Sequence, residues 1–263
     1  MNTLWITVPA AVIPSVILLW YFYSRDKYPE PPRVVFATFV LGVLTVIPVL
    51  LFAVPVMSFI GRVENPLAFG ASVGFLAAAI PEEFFKFLVI YYYCMRHSEF
   101  DEPMDGLVYG VTASLGFATL ENVLYVSSGG LVVAIVRAVS AVPMHASLGA
   151  VMGYYCGQAK FQPGNRRRLL FLAWFVPMLL HGFYDMPVLA MAKYMGIPIG
   201  GGGAAPEREF GTTDALVALG AVGIAFLCLV ITIVTAILLA RKQKQLQMEV
   251  RQANSASTAS ATE

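Results

Sequence analysis

Residues 34–60 read VVFATFVLGVLTVIPVLLFAVPVMSFI, an apolar run without a single charged side chain. A bilayer core takes about 20 mostly apolar residues of helix, so this stretch is long enough to cross one. Comparable runs cover 4–23, 68–93, 106–127, 130–157, 169–191 and 214–240. The expected fold is therefore all-α, a polytopic membrane protein of about seven transmembrane helices. Composition agrees, since 58% of the 263 residues are hydrophobic and only 13% charged, against about 45–50% and about 25% in soluble domains. Cys94, Cys156 and Cys228 are scattered in or beside apolar runs without CxxC spacing, which argues against a disulfide framework or a thiolate metal site. With a net charge of +1 and no basic stretch interleaved with aromatics, nucleic acid is not an expected partner; the lipid bilayer is.

Cytoplasmic loops collect Lys and Arg, and that bias orients the chain. With the N-terminus outside, the inner loops and tail hold twelve of the 17 basic residues, among them Arg25, Lys27, Arg96, Arg166, Arg241 and Lys244. The outer loops hold three, Arg62, Lys193 and Arg208, while Lys86 and Arg137 lie within spans. The C-terminus is then cytoplasmic. Span 1 has no basic flank before its apolar core and is expected to stay as an anchor rather than be cleaved. The chain divides into two N-terminal transmembrane helices (1–67), a polar transmembrane core (68–192), and a third part (193–263). That last part holds an outer loop with Gly200 to Gly203, the last helix, and a cytoplasmic tail expected to be disordered beyond about residue 250. No strong internal repeat signals a carrier with duplicated halves.

Ionisable side chains at a helix centre cost on the order of 2.5–3.5 kcal/mol each, so they are rare unless they face a cavity or a partner. Here they recur on successive spans: Glu82, Glu83 and Lys86; Glu121 with Asn122; Arg137 and His145; His181 and Asp185. Counted at about 1.5 Å per residue from the inner ends, Glu82, His145, His181, Glu121 and Asp185 lie at depths of roughly 16–24 Å. One slab of the membrane would contain them all. Lys86 is i, i+4 from Glu82 and i, i+3 from Glu83, so it can lie alongside either. The two glutamates point about 100° apart, which suits one to a cavity and the other to an ion pair. Pro81 can kink span 3 or start a half-helix there. At i, i+4, Asp185 can orient the His181 imidazole, or both can project to one centre.

Four acids against two bases leave an excess of negative charge in low dielectric, which a divalent metal, retained protons or charged histidines would neutralise. Taken singly, His145 reads as an interhelical hydrogen-bonding residue, and Arg137 as one that snorkels outward or pairs with Glu121 or Asp185. Asp105 reads as the cap of span 4. Buried carboxylate and histidine chains also build proton relays, so a proton-coupled transporter or channel is the alternative reading, and a scaffold glued by buried charges is a third.

As an ordered set the motifs resemble the PrsW family of intramembrane proteases, distant relatives of the CAAX-prenyl and bacteriocin-processing endopeptidases. The resemblance is carried by EExxK (Glu82, Glu83, Lys86), FxxxE (Phe117, Glu121), a lone His-Ala (His145, Ala146) and HxxxD (His181, Asp185) over about residues 76–190. Spans 1 and 2, the Gly-rich loop and the tail lie outside it. It implies that 68–192 is a catalytic transmembrane core of a bacterial cell-membrane protein. The implied activity is hydrolysis of a peptide bond in a membrane-anchored protein substrate such as an anti-sigma factor. In a glutamate mechanism Glu82 or Glu83 takes a proton from water and His145, His181 or Asn122 stabilises the oxyanion. In a metal mechanism His145, His181 and Glu121 or Asp185 hold a divalent ion such as zinc, with a span-3 glutamate as base. There is no HExxH, which inclines the reading towards glutamate and leaves the metal open. Lys86, Asn122 and Arg137 are the supporting residues.

Overall fold

In the computed structural model the described residues are 4–25, 29–197 and 211–261, and all regular structure among them is helical. Helix α1 (Leu4–Arg25) is followed by α2 (Pro32–Leu44), which starts on a proline whose missing N–H is harmless in a first turn. A one-residue turn at Thr45, whose Oγ1 donates to the Gly42 carbonyl at 2.6 Å, leads into α3 (Val46–Ile60). The Asn65 side chain caps α4 (Pro66–Ala71) by accepting the Ala68 N–H at 3.0 Å. Helix α4 widens into a π-helix, Ser72–Ala79, before resuming as α5 (Ile80–Tyr92). Pro81 lies in the first turn of α5, where the π-helix gives way to α-helix within a continuous helical run. The wider register runs directly into the residue whose ring and missing N–H disfavour an ordinary α-turn before it.

Helix α6 (Pro103–Val139) opens on a capping box in which the Glu102 N–H donates to Asp105 Oδ2 at 2.7 Å, so the N-cap is Glu102 and Asp105, expected as the cap, serves it from the first turn. At Gly130 the backbone leaves the helix with φ 69° and ψ −162°, a region open essentially to glycine alone. The chain reverses there. Arg137, beyond the turn, reaches back to Asn122 and Glu121, and the arm continues into α7 (Ala141–Phe161) across a break at Ser140. Helix α8 (Arg166–Met195) ends on Gly196 in the left-handed conformation, and α9 (Thr212–Ala261) closes the order.

Five helical runs among the described residues are long and apolar enough to cross a membrane: Trp5–Ser24, Pro32–Ile60, Pro103–Phe161, Arg166–Met195 and Thr212–Gln245. The expected count was about seven. One run, 59 residues long, contains the Gly130 reversal, and the π-interrupted stretch from Pro66 to Tyr92 carries three buried charges. Helix α9 also continues to Ala261, past the point near residue 250 where a disordered tail was expected. The Ala, Gln, Lys, Glu and Arg content between 240 and 253 sustains helix once the apolar part has nucleated it. The Gly200–Gly203 loop lies outside the described residues.

Helix α6 is the central rod. A β-carbon on Gly110 would run into the Gly149 carbonyl, and one on Gly153 into the Gly106 carbonyl, so α6 and α7 touch backbone to backbone. On its other side Gly42 of α2 meets the Ala113 carbonyl in the same way. The segment before α2 is pinned too: the Tyr109 hydroxyl donates to the buried Glu30 carboxylate, and the Tyr23 hydroxyl to the Glu30 carbonyl at 2.9 Å. At the same end Gln243 of α9 accepts from Gln158 Nε2 at 2.7 Å and donates to the Pro103 carbonyl at 2.5 Å.

Candidate active site

Four elements deliver polar side chains to one buried point. The first two turns of α5 bring Glu82, Glu83 and Lys86; α6 brings Glu121 and Asn122; α7 brings His145; α8 brings His181 and Asp185. Close packing sets their approach. A β-carbon on Gly74 of the π-helix would sit 3.3 Å from the Gly182 carbonyl, and one on Gly182 would enter the Phe75 ring. His181 is thereby held against the start of α5.

Lys86 is the hub. Its Nζ donates to Glu83 Oε1 at 2.8 Å and to Glu82 Oε2 at 3.4 Å, lies 3.1 Å from His145 Nδ1, and stands 4.1 Å above the Phe117 ring. Both sequence alternatives for Lys86 thus hold at once, unequally. Glu83 Oε1 also lies 2.9 Å from His181 Nδ1, while Glu82 Oε2 lies 3.9 Å from His181 Nε2. Glu83 is tied on both sides, and Glu82 is loosely held. The His145 and His181 rings meet edge to face at 5.3 Å.

Around this core a second set of contacts fixes the imidazoles. His145 Nε2 lies 3.0 Å from Glu121 Oε2, which Arg137 Nη2 engages at 2.5 Å; Arg137 Nε donates to Asn122 Oδ1 at 2.6 Å. Arg137 therefore pairs with Glu121 rather than snorkelling, and its guanidinium also covers the Tyr125 ring at 4.1 Å. Asn122 Nδ2 reaches the Ala11 carbonyl of α1 at 3.5 Å. His181 Nε2 lies 3.2 Å from Asp185 Oδ2. Glu83 and Lys86 are fully buried, whereas the side chains of Glu121 and Asp185 are 16% and 25% exposed.

Donor atoms of Glu82, Glu83, His145 and His181 lie within 4.8 Å of one another, a nitrogen and oxygen set suited to a divalent ion such as zinc. Glu83 Oε2 is buried with no hydrogen-bond partner, as a carboxylate oxygen awaiting a cation would be. The set fits a metal chemically, with the Lys86 ammonium already beside three of its members. It differs from the expected ligands His145, His181, Glu121 and Asp185. Glu121 and Asp185 stand behind the imidazoles, each on one ring nitrogen, where such carboxylates orient rather than ligate. Sequence reasoning left Phe117 without a role, although its place in FxxxE, one turn before Glu121, marked its face of α6.

A family model described as PrsW family intramembrane metalloprotease matches residues 30–205. That is wider than the 76–190 of the motifs and takes in α2, α3 and the Gly-rich loop. Protease PrsW of Geobacillus kaustophilus is 44% identical over 194 residues, 72% of this chain and 84% of the relative. Protease PrsW of Bacillus subtilis is 38% identical over 190 residues, 72% of this chain and 85% of the relative. That of Halalkalibacterium halodurans is 37% identical over 186 residues, 70% and 84% respectively. No solved structure matches. With the motif helices converging as they do and these relatives alongside, the chain belongs to the PrsW family of intramembrane metalloproteases.

Proposed function

We propose that this intramembrane peptidase cuts a membrane-anchored protein by water attack on a peptide bond, with Glu82 as the general base. The observation that carries the assignment is the unequal holding of the two glutamates: 2.8 and 2.9 Å contacts for Glu83 against 3.4 and 3.9 Å for Glu82. A base must be free to turn to its water, whereas a carboxylate locked between an ammonium and an imidazole positions others. His145 and His181 then face the reacting carbonyl, oriented by Glu121 and Asp185, and a histidine N–H or the Asn122 amide supplies the oxyanion contact. Membership of a protease family favours this over the transport alternative.

A divalent ion, if resident, would be held by His145, His181 and Glu83, which leaves Glu82 as the base. It would polarise the scissile carbonyl and acidify a water. Seven spans with the N-terminus outside and the C-terminus cytoplasmic are part of the same reading. The Gly130 turn divides the longest helical run into two arms, and the basic residues favour that direction. Exposure rises towards Glu121 and Asp185, on the side of that turn, so water enters from there.

The test is cleavage of co-reconstituted single-pass membrane proteins, anti-sigma factors among them, by wild type, Glu82→Gln and Glu83→Gln, with mass spectrometry locating the cut. Wild-type cutting that a folded Glu82→Gln variant lacks is the expected result. Equal cutting by both removes the base assignment. Elemental analysis of the purified protein, before and after chelation, reports on the ion separately.

A further inference from the structure

One face of α9 changes character along its length. Ile233, Ala236, Ile237, Ala240, Arg241 and Lys244 follow the i, i+3, i+4, i+7, i+8, i+11 spacing of a single stripe, apolar for its first four members and cationic for its last two. This stripe forms one wall of a groove of about 460 Å³ that runs between α1, α6, α7 and α9. The facing wall is recessed because α7 presents Ala146, Ser147 and Ala150 there, with Leu107 of α6 and Phe22 of α1 beside them. From Ile233 to Lys244 the stripe is about 16 Å long. No carboxylate lines the groove among the described residues, so the two cations at its end have no acid partner within it.

The cationic end cannot roll away from the groove without breaking a buried contact. Gln243, fully buried, is hydrogen-bonded to Gln158 at 2.7 Å and to the Pro103 carbonyl at 2.5 Å, which fixes the rotation of α9 between Arg241 and Lys244. An apolar channel about 10 Å long on α9, enough for part of an acyl chain, that ends on two exposed cations complements one kind of amphiphile. We propose that this groove is a binding site for an anionic phospholipid, with an acyl chain along Ile233 to Ala240 and the headgroup phosphate on Arg241 and Lys244. Arg offers a phosphate two parallel donors and Lys a point charge, and basic pockets between transmembrane helices hold anionic headgroups in this way. The site lies beyond the peptidase centre and does not depend on it.

The experiment measures binding of fluorescent phosphatidylglycerol and of phosphatidylcholine with the same chains to the full-length protein in detergent, with inorganic phosphate as competitor. Wild type is expected to prefer phosphatidylglycerol about tenfold. The double variant R241Q/K244Q is expected to lose the preference, with its thermal melting confirming the fold. Ala236→Phe, which fills the apolar part, is expected to weaken both lipids. A control double variant in the neighbouring basic turn, R167Q/R168Q, is expected to keep the preference. No preference in wild type, an unchanged preference in R241Q/K244Q, equal loss in the control, or full displacement of lipid by phosphate each overturns the proposal. If R241Q/K244Q does not fold, Lys244→Gln with Ala236→Phe decides, since a headgroup preference untouched by both places the lipid elsewhere.

Discussion

Four contacts around one ammonium make Lys86 the side chain on which the buried charges balance: two carboxylates, an imidazole and the Phe117 ring. Lys86→Met leaves Glu83 in a fully buried position with His181 as its remaining partner. Breaking a buried pair from one side costs about 3–5 kcal/mol, and a fall of that size is expected in denaturant unfolding of the variant. Glu82→Gln should behave in the opposite sense. Its contacts are long, so the loss of stability is expected to be smaller than that of Lys86→Met, while cleavage falls roughly 10²-fold or more. Glu83→Gln is expected to lower both. Helical spacing alone placed Lys86 beside both glutamates. It could not say which of the two is tied, because that depends on His181, delivered by a helix about 100 residues further on.

Helix packing follows from residues that carry no chemistry. Gly106 and Gly110 on α6 and Gly149, Gly153 and Gly157 on α7 repeat every four residues, which stacks them on one face of each helix and brings the backbones together. Gly153→Leu would drive a branched side chain into the Gly106 carbonyl. A loss of about 1–3 kcal/mol is expected, read as a lower melting temperature in detergent. At Gly130 the cost has a different origin, because φ 69° and ψ −162° suit no residue with a β-carbon although space there is open. Gly130→Ala should cost on the order of 1–3 kcal/mol by strain alone, and no side-chain trimming nearby should rescue it. The helical, membrane-length character of the apolar runs was readable from hydropathy, and the break expected between 127 and 130 coincides with the Gly130 reversal. The π-helix before Pro81 was not, since apolar runs carry no mark of an i→i−5 register; only the crossing with α8 at Gly74 and Gly182 selects it. The helical end of α9 was missed for a related reason. Ser, Ala and Thr lack an apolar face, but a long helix already formed extends through them at little cost.

Across the molecule the polar groups are graded, from fully buried Glu83 and Lys86 to Asp185 with a quarter of its side chain exposed. The depth estimate from span ends brought these residues into one slab, which the structure narrows to a cluster of contacts. It left the direction of opening undetermined, because depth along a helix says nothing about which neighbours cover it. The gradient now ties that direction to topology. With the N-terminus outside, the Gly130 turn faces out, and the turn at Pro163–Asn165 faces the cytoplasm beside Arg166, Arg167 and Arg168. Ser127 is exposed at the first turn and Gly164 at the second. In a Cys228→Ser background, with Cys94 and Cys156 buried, Ser127→Cys should react with a membrane-impermeant maleimide on intact cells. Gly164→Cys should react only after permeabilisation. The reverse pattern would turn the site towards the cytoplasm, so its substrates would have to be cut from that side. Reaction of both from one side would mean that the arms between them do not cross, and the water path inferred from Glu121 and Asp185 would lose its outer compartment.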